Sequence, residues 1–140
     1  MKTLFAILLS CLFLLASPLA AMADTVHAYD AGDNGKSFDI GPDSLLTVSL
    51  EANPSTGYHW VNVPVNPFEG VRGIGPVRSV FPVLDETFVP VHPGLPGTNG
   101  IDIFSYTVES MGAGGLKLEK RSPAGQTVDT VEIGLMVVNP

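Results

Sequence analysis

From Val26 onward, apolar residues alternate with polar ones or gather in short runs, and Gly or Pro interrupts them about every eight to twelve residues. Side chains that alternate faces at period two belong to half-buried extended chain, so the pattern predicts an all-β sandwich or barrel without a helix. A first strand is expected over Val26–Tyr29, a turn at Asp33-Asn34-Gly35, and extended chain again over Ser37–Ile40. Leu45–Leu50 alternates around Leu46, Val48 and Leu50. Tyr58–Val63 follows, with Tyr58 and Trp60 on one face and His59 and Val61 on the other. The Pro- and Gly-rich stretch Pro64–Pro82 is expected to be irregular, with one edge strand at Val77–Phe81. Glu86–Val91 reads as a strand and His92–Gly100 as a long turn. In Ile101–Ser110, Asp102, Phe104, Tyr106 and Val108 share a face, the last three suiting a core. Gly112-Ala113-Gly114-Gly115 is expected to be a hairpin turn leading into Leu116–Lys120, where Leu116 and Leu118 face inward. Arg121–Gly125 is expected to be a third exposed turn, and Val131, Ile133, Leu135 and Val137 form a last inward stripe.

The N-terminus has a different pattern. Lys2 precedes the apolar run Leu4–Leu15, a Ser17-Pro18 break follows, and Ala21-Met22-Ala23 completes a secretory signal with cleavage expected after Ala23. An uncleaved anchor is disfavoured because Ser10, Ser17 and Pro18 interrupt the run. Lipidation at Cys11 is disfavoured because apolar chain follows the cysteine where a soluble tether is needed. The expected products are a signal peptide (1–23) and one exported domain (24–140), secreted or periplasmic. Removing residues 1–23 from 140 leaves 117, enough for a single core that buries about two-thirds of its unfolded surface.

Cleavage changes the chemistry available. The only cysteine leaves with the signal, so the mature domain is expected to have neither a disulfide nor a thiol. Without Lys2 there are 6 basic against 14 acidic residues, a formal charge of −8. That balance, with no basic cluster, argues against nucleic acid and anionic membrane surfaces as partners. His27, His59 and His92 have no metal-ligand spacing. Asp85-Glu86 and Asp30 with Asp33 read as solvated acids in turns. Asp30–Gly41 fails as a calcium loop because Gly32 and Gly41 stand where ligands are required. No helix follows Gly112–Gly115 to make a phosphate cradle. Pro54 within Asn53-Pro54-Ser55 blocks glycosylation. An enzyme is therefore not expected, and no cofactor or metal is implied.

The strongest local signal is Asn53-Pro54-Ser55-Thr56-Gly57-Tyr58-His59, closed by Trp60, between two strand-like runs. Pro54 fixes its own φ and pushes Asn53 toward extended backbone, while Gly57 can take the positive φ that reverses the chain. Asn53, Ser55 and Thr56 can bond to neighbouring backbone, so the loop is shaped before it meets a partner. An ordinary structural turn remains the alternative on local chemistry alone.

Leu50–Trp60 resembles the signature loop of the chagasin-like inhibitors of cysteine peptidases, Asn-Pro-Thr-Thr-Gly-Tyr or Phe with Trp two residues on, differing only in Ser55. The order of the remaining turns and strands agrees over essentially all of 24–140. The resemblance implies an immunoglobulin-like β-sandwich of about seven or eight strands, monomeric. Three loops at one end would wedge reversibly and non-covalently into the cleft of papain-like cysteine peptidases. Asn53, Pro54, Ser55, Thr56 and Gly57 would form the central loop, with Thr56 bonding in the cleft and Tyr58 anchoring the base. By order along the chain, Gly94, Leu95, Gly97 and Gly100 would belong to the second loop, and Gly112–Gly115 would lie at the opposite end. In the third loop the family has Tyr, one residue, then Arg-Pro-Trp. Here Lys120, Ser122, Pro123 and Ala124 stand at those places, so only Pro123 keeps register, with Arg121 one place early and no indole. An immunoglobulin-like recognition or adhesion module without inhibitory activity is the competing expectation.

Overall fold

The computed structural model describes residues 25–65 and 81–139. The expected signal peptide and most of the expected Val77–Phe81 strand lie outside the described residues. Phe81 itself is buried and belongs to the core.

Among the described residues, eight strands form two four-stranded sheets. They are β1 (Thr25–Asp30), β2 (Ser37–Ile40), β3 (Ser44–Ala52), β4 (His59–Val63), β5 (Val83–Pro90), β6 (Gly100–Thr107), β7 (Gly112–Arg121) and β8 (Thr127–Val137). One sheet runs β1-β3-β6-β5 and the other β2-β8-β7-β4. This is the four-plus-three order of an immunoglobulin-like sandwich, with β2 added beside β8. β1 and β2 are consecutive but enter different sheets, each pairing in parallel, β1 with β3 and β2 with β8. The chain crosses between sheets through a 3-10 turn, Ala31–Asp33. There the Asp30 carboxylate accepts the Gly32 N–H and Asp33 Oδ2 accepts the Asp30 N–H, a reciprocal capping box.

Period two is satisfied where both sheets face inward. Leu46, Val48 and Leu50 of β3, Phe104 and Tyr106 of β6, Leu116 and Leu118 of β7, and Val131, Ile133, Leu135 and Val137 of β8 are all buried, with Trp60 inserted from β4. Each fully buried aliphatic of this kind contributes about 1.5–3 kcal/mol. Tyr106 also donates its hydroxyl to Asn62 Oδ1 at 2.8 Å, linking the two sheets.

Gly112–Gly115 is not the expected hairpin turn. It forms the first four residues of β7, paired with Gly134–Val137 of β8, and the reversal occupies residues 108–111. Gly115 serves close packing: a Cβ there would lie 3.0 Å from the Ile133 carbonyl oxygen.

Register fixes the two poles of the molecule. Ala52, Gly100 and Pro90 form one row across β3, β6 and β5, so the chain leaving β3 and the β5–β6 connection share an end. His59 lies opposite Arg121, which brings the β7–β8 connection to the same end. Thr25 opposite Ser44 and Gly112 opposite Val137 mark the other pole, where β1 begins and β8 finishes.

Candidate functional site: the three-loop end

The first loop is built around Asn53. Its carbonyl oxygen accepts the Thr56 N–H at 3.1 Å and the Thr56 hydroxyl at 2.7 Å, and its Oδ1 accepts the Ser55 hydroxyl at 2.6 Å. Pro54–Thr56 is wound into a 3-10 turn that ends on Gly57, whose φ of 79° is left-handed. Gly57 closes the turn by donating its N–H to the Pro54 carbonyl at 3.1 Å. The role expected of Gly57 from sequence is the one it takes.

This loop is also tied to both neighbours. Asn53 Nδ2 donates to Asn99 Oδ1 at 2.7 Å, reaching the second loop, and Gly97 lies against Ser55. On the other side, a Cβ on Gly57 would come within 2.8 Å of Pro123 Cγ, so the first and third loops touch where only glycine fits. The second loop leaves β5 with Val91 N–H donating to the Asn99 carbonyl at 2.9 Å, and Gly94 and Gly97 both have positive φ. Asn99 was not singled out by sequence. Its one signal is an amide side chain beside Gly100, in register with Ala52.

The third loop is a short hairpin. Ser122 and Gln126 pair through backbone, Gly125 N–H donates to the Ser122 carbonyl at 2.8 Å, and Gly125 has φ 82°. Pro123 holds the second place of that turn, where its fixed φ suits it. Ser122 is buried, not exposed as expected, because its Oγ accepts the Gln126 N–H at 3.2 Å inside the hairpin. Arg121 is the last residue of β7 and its guanidinium is engaged with Glu119 at 3.2 Å. That bond, with a second from the Thr127 hydroxyl, holds the Glu119 carboxyl below the usual carboxylate range.

The base of the first loop is anchored by Trp60 more than by Tyr58. Trp60 is buried, donates Nε1–H to the Glu51 carbonyl at 3.0 Å and has Lys120 Nζ 5.9 Å from its ring centroid. Tyr58 is 38% exposed and lines an open cavity with Thr56, Lys120 and Val128. Alternation explains the difference, since strand pairing begins at His59 and only Trp60 is inside the ladder with its side chain inward.

No group of three His, Cys, Asp or Glu among the described residues could hold a metal ion. Asp102 is buried behind the loops opposite Phe88 and Leu50, and burial keeps its carboxyl above the usual range, with His59 pulling the other way. Glu86 is raised likewise by burial and by the Asp102 charge.

The structure thus brings Asn53, Pro54, Ser55, Thr56, Gly57 and Tyr58 together with Gly94, Leu95, Gly97 and Gly100 and with Arg121, Ser122 and Pro123 at one pole. The chain resembles several known proteins over much of its length. It is 29% identical over 97 residues to chagasin of Trypanosoma cruzi, covering 69% of this chain and 82% of that protein. Its fold matches a cysteine protease inhibitor of Entamoeba histolytica with TM-score 0.63 and 16% identity, over 83% of this chain and 98% of that one. It also matches PbICP-C, solved in complex with falcipain-2, with TM-score 0.50 and 16% identity, over 86% of this chain and 96% of that one. Residues 40–135 match the model of the chagasin family of peptidase inhibitors, and the chain belongs to that family, one of inhibitors and not of enzymes.

Proposed function

We propose that the protein is a reversible, non-covalent inhibitor of papain-family cysteine peptidases, and that its three-loop end enters the active-site cleft. The observation that carries this reading is the cross-tying of the loops: Asn53 to Asn99 on one side, Gly57 against Pro123 on the other. A wedge fixed in advance avoids ordering costs of about 0.5–1.5 kcal/mol per immobilised side chain on binding. The peptide bonds of the tip are wound into a 3-10 turn in which the Thr56 and Gly57 N–H groups are internally bonded. None is extended for attack by a nucleophile, which supports blockade without cleavage. The family membership and the fold shared with a cysteine protease inhibitor support the same reading.

The central loop is Asn53–Tyr58, flanked by Gly94–Gly100 and by Arg121–Pro123. The domain acts after export as a monomer spanning 24–140, its signal removed after Ala23. Titration of that domain against papain and a cathepsin L-type enzyme should give reversible inhibition that leaves the inhibitor uncut. Absence of inhibition at high micromolar concentration across several such enzymes would overturn the reading. Intact mass of the exported protein should place its first residue at Asp24; any other start would overturn the cleavage site.

A further inference from the structure

The third loop offers no large apolar side chain, yet the other flank of the same pole does. Val89 and Ile101 lie directly opposite each other on the outer face of β5 and β6, Val91 continues that row where the second loop begins, and Leu95 lies farther along the loop. These four aliphatics are between 39% and 61% exposed. Scattered single apolar residues on a surface are ordinary, whereas a contiguous row is not. Beside the row lies an open cavity of about 410 Å³, with Val91 and Ile101 on its apolar side and Asn53, Asn99, Glu51 and Lys120 on its polar side. An apolar centre with a polar rim is the anatomy of a protein interface.

We propose that the contact surface for the peptidase extends from the second loop down the outer face of β5 and β6, where Val91, Ile101 and Val89 receive an aliphatic or aromatic side chain from the wall of the cleft. The inference rests on the wedge reading. The cavity is continuous with the central loop, because Asn53 and Asn99, bonded to each other, both line it. A wedge seated by that loop carries this flank against whatever wall borders the cleft on that side. The apolar anchor of this inhibitor therefore sits on the second-loop flank, in place of the aromatic that the third loop lacks at Ala124.

The test uses Val91→Thr, Ile101→Thr and the double variant, which keep β-branched side chains suited to a strand while removing apolar surface. Inhibition of papain and a cathepsin L-type enzyme should weaken about 3- to 10-fold for each single variant and about 30-fold for the double, chiefly through faster dissociation. Melting temperatures should not move. Val26→Thr, an equally exposed valine at the opposite pole, should leave inhibition unchanged. Wild-type inhibition retained within about twofold by the double variant overturns this inference and leaves the wedge standing. So does a concentration-dependent dimer that the substitutions dissolve without affecting inhibition. A wild-type domain that inhibits neither enzyme overturns both.

Discussion

The first and third loops stand side by side, one stiffened chiefly by side chains and the other chiefly by backbone, with a single side-chain bond at Ser122. In Asn53–Gly57 the hydroxyls of Ser55 and Thr56 and the amide of Asn53 carry three internal or bridging bonds, so its shape is written in residue types. In Ser122–Gln126 the shape comes from ladder pairing that ends in a Pro–Gly turn, to which Ala124 contributes nothing specific. The first loop is hard to change without losing its geometry. The third can be rewritten at its tip as long as Pro123 and Gly125 stay, and in this chain its tip carries no large side chain.

Gly57→Val should break the comparison most severely. The left-handed φ costs a β-branched residue at least about 1–2 kcal/mol, and the new side chain would drive Pro123 away from the first loop. Inhibition should fall at least about 100-fold, more than the loss of stability accounts for. If the melting temperature drops and inhibition of the folded fraction is unchanged, the turn is purely structural. Because a Cβ on Gly57 would point at Pro123, and φ there is left-handed, even Gly57→Ala should lower stability measurably.

Asn53→Ala comes next. It removes the Ser55 and Asn99 bonds but keeps the carbonyl that Thr56 uses, at about 0.5–1.5 kcal/mol per bond. Inhibition should weaken about 10-fold, and proteolytic nicking near residue 55 by an unrelated protease should become detectable. Ala124→Trp sharpens the contrast from the other side. Because the hairpin is set by its flanks, the indole should be accepted without loss of stability and tighten inhibition up to about 30-fold, read from dissociation rates.

The smallest effect expected is that of Asp102→Asn. The folded carboxyl is raised by burial, so its charge opposes folding above its folded pKa, and this penalty fades as pH falls toward the unfolded value. The variant should therefore melt higher than wild type at neutral pH, with the gap closing in acid. A gap that instead widens in acid would mean that His59 governs Asp102 in place of burial. Glu119 has the opposite sign: its bonds to Arg121 and Thr127 stabilise above the ordinary carboxylate range and are lost as pH falls through its lowered pKa.

Most strands were legible because each buries one face against a single core, and Leu46, Val48 and Leu50 or Val131 to Val137 announce that face by themselves. The gathering of three loops at one pole was legible only through the family resemblance, chain order serving to assign Gly94–Gly100 to the second loop. Two things were not. Gly112–Gly115 reads as a turn because glycine favours turns, but its place is set by Gly134 and Ile133 some twenty residues away, which no local pattern encodes. The parallel pairing of β1 and β2 into different sheets is likewise a property of partners, since Val26–Tyr29 and Ser37–Ile40 look alike as isolated strands. At the site, the residues of the first loop stood out by type, while Asn99 and the Gly57–Pro123 contact exist only through tertiary proximity.

Thr25 and Val137, near the two limits of the described fold, stand at the pole away from the loops. Both exits of the domain therefore point backward from the surface proposed to meet the peptidase. A fluorophore, an affinity tag or a second protein joined at either exit would project away from that surface. The domain could be fixed to a solid support by either terminus, or strung between other domains, with all three loops still presented.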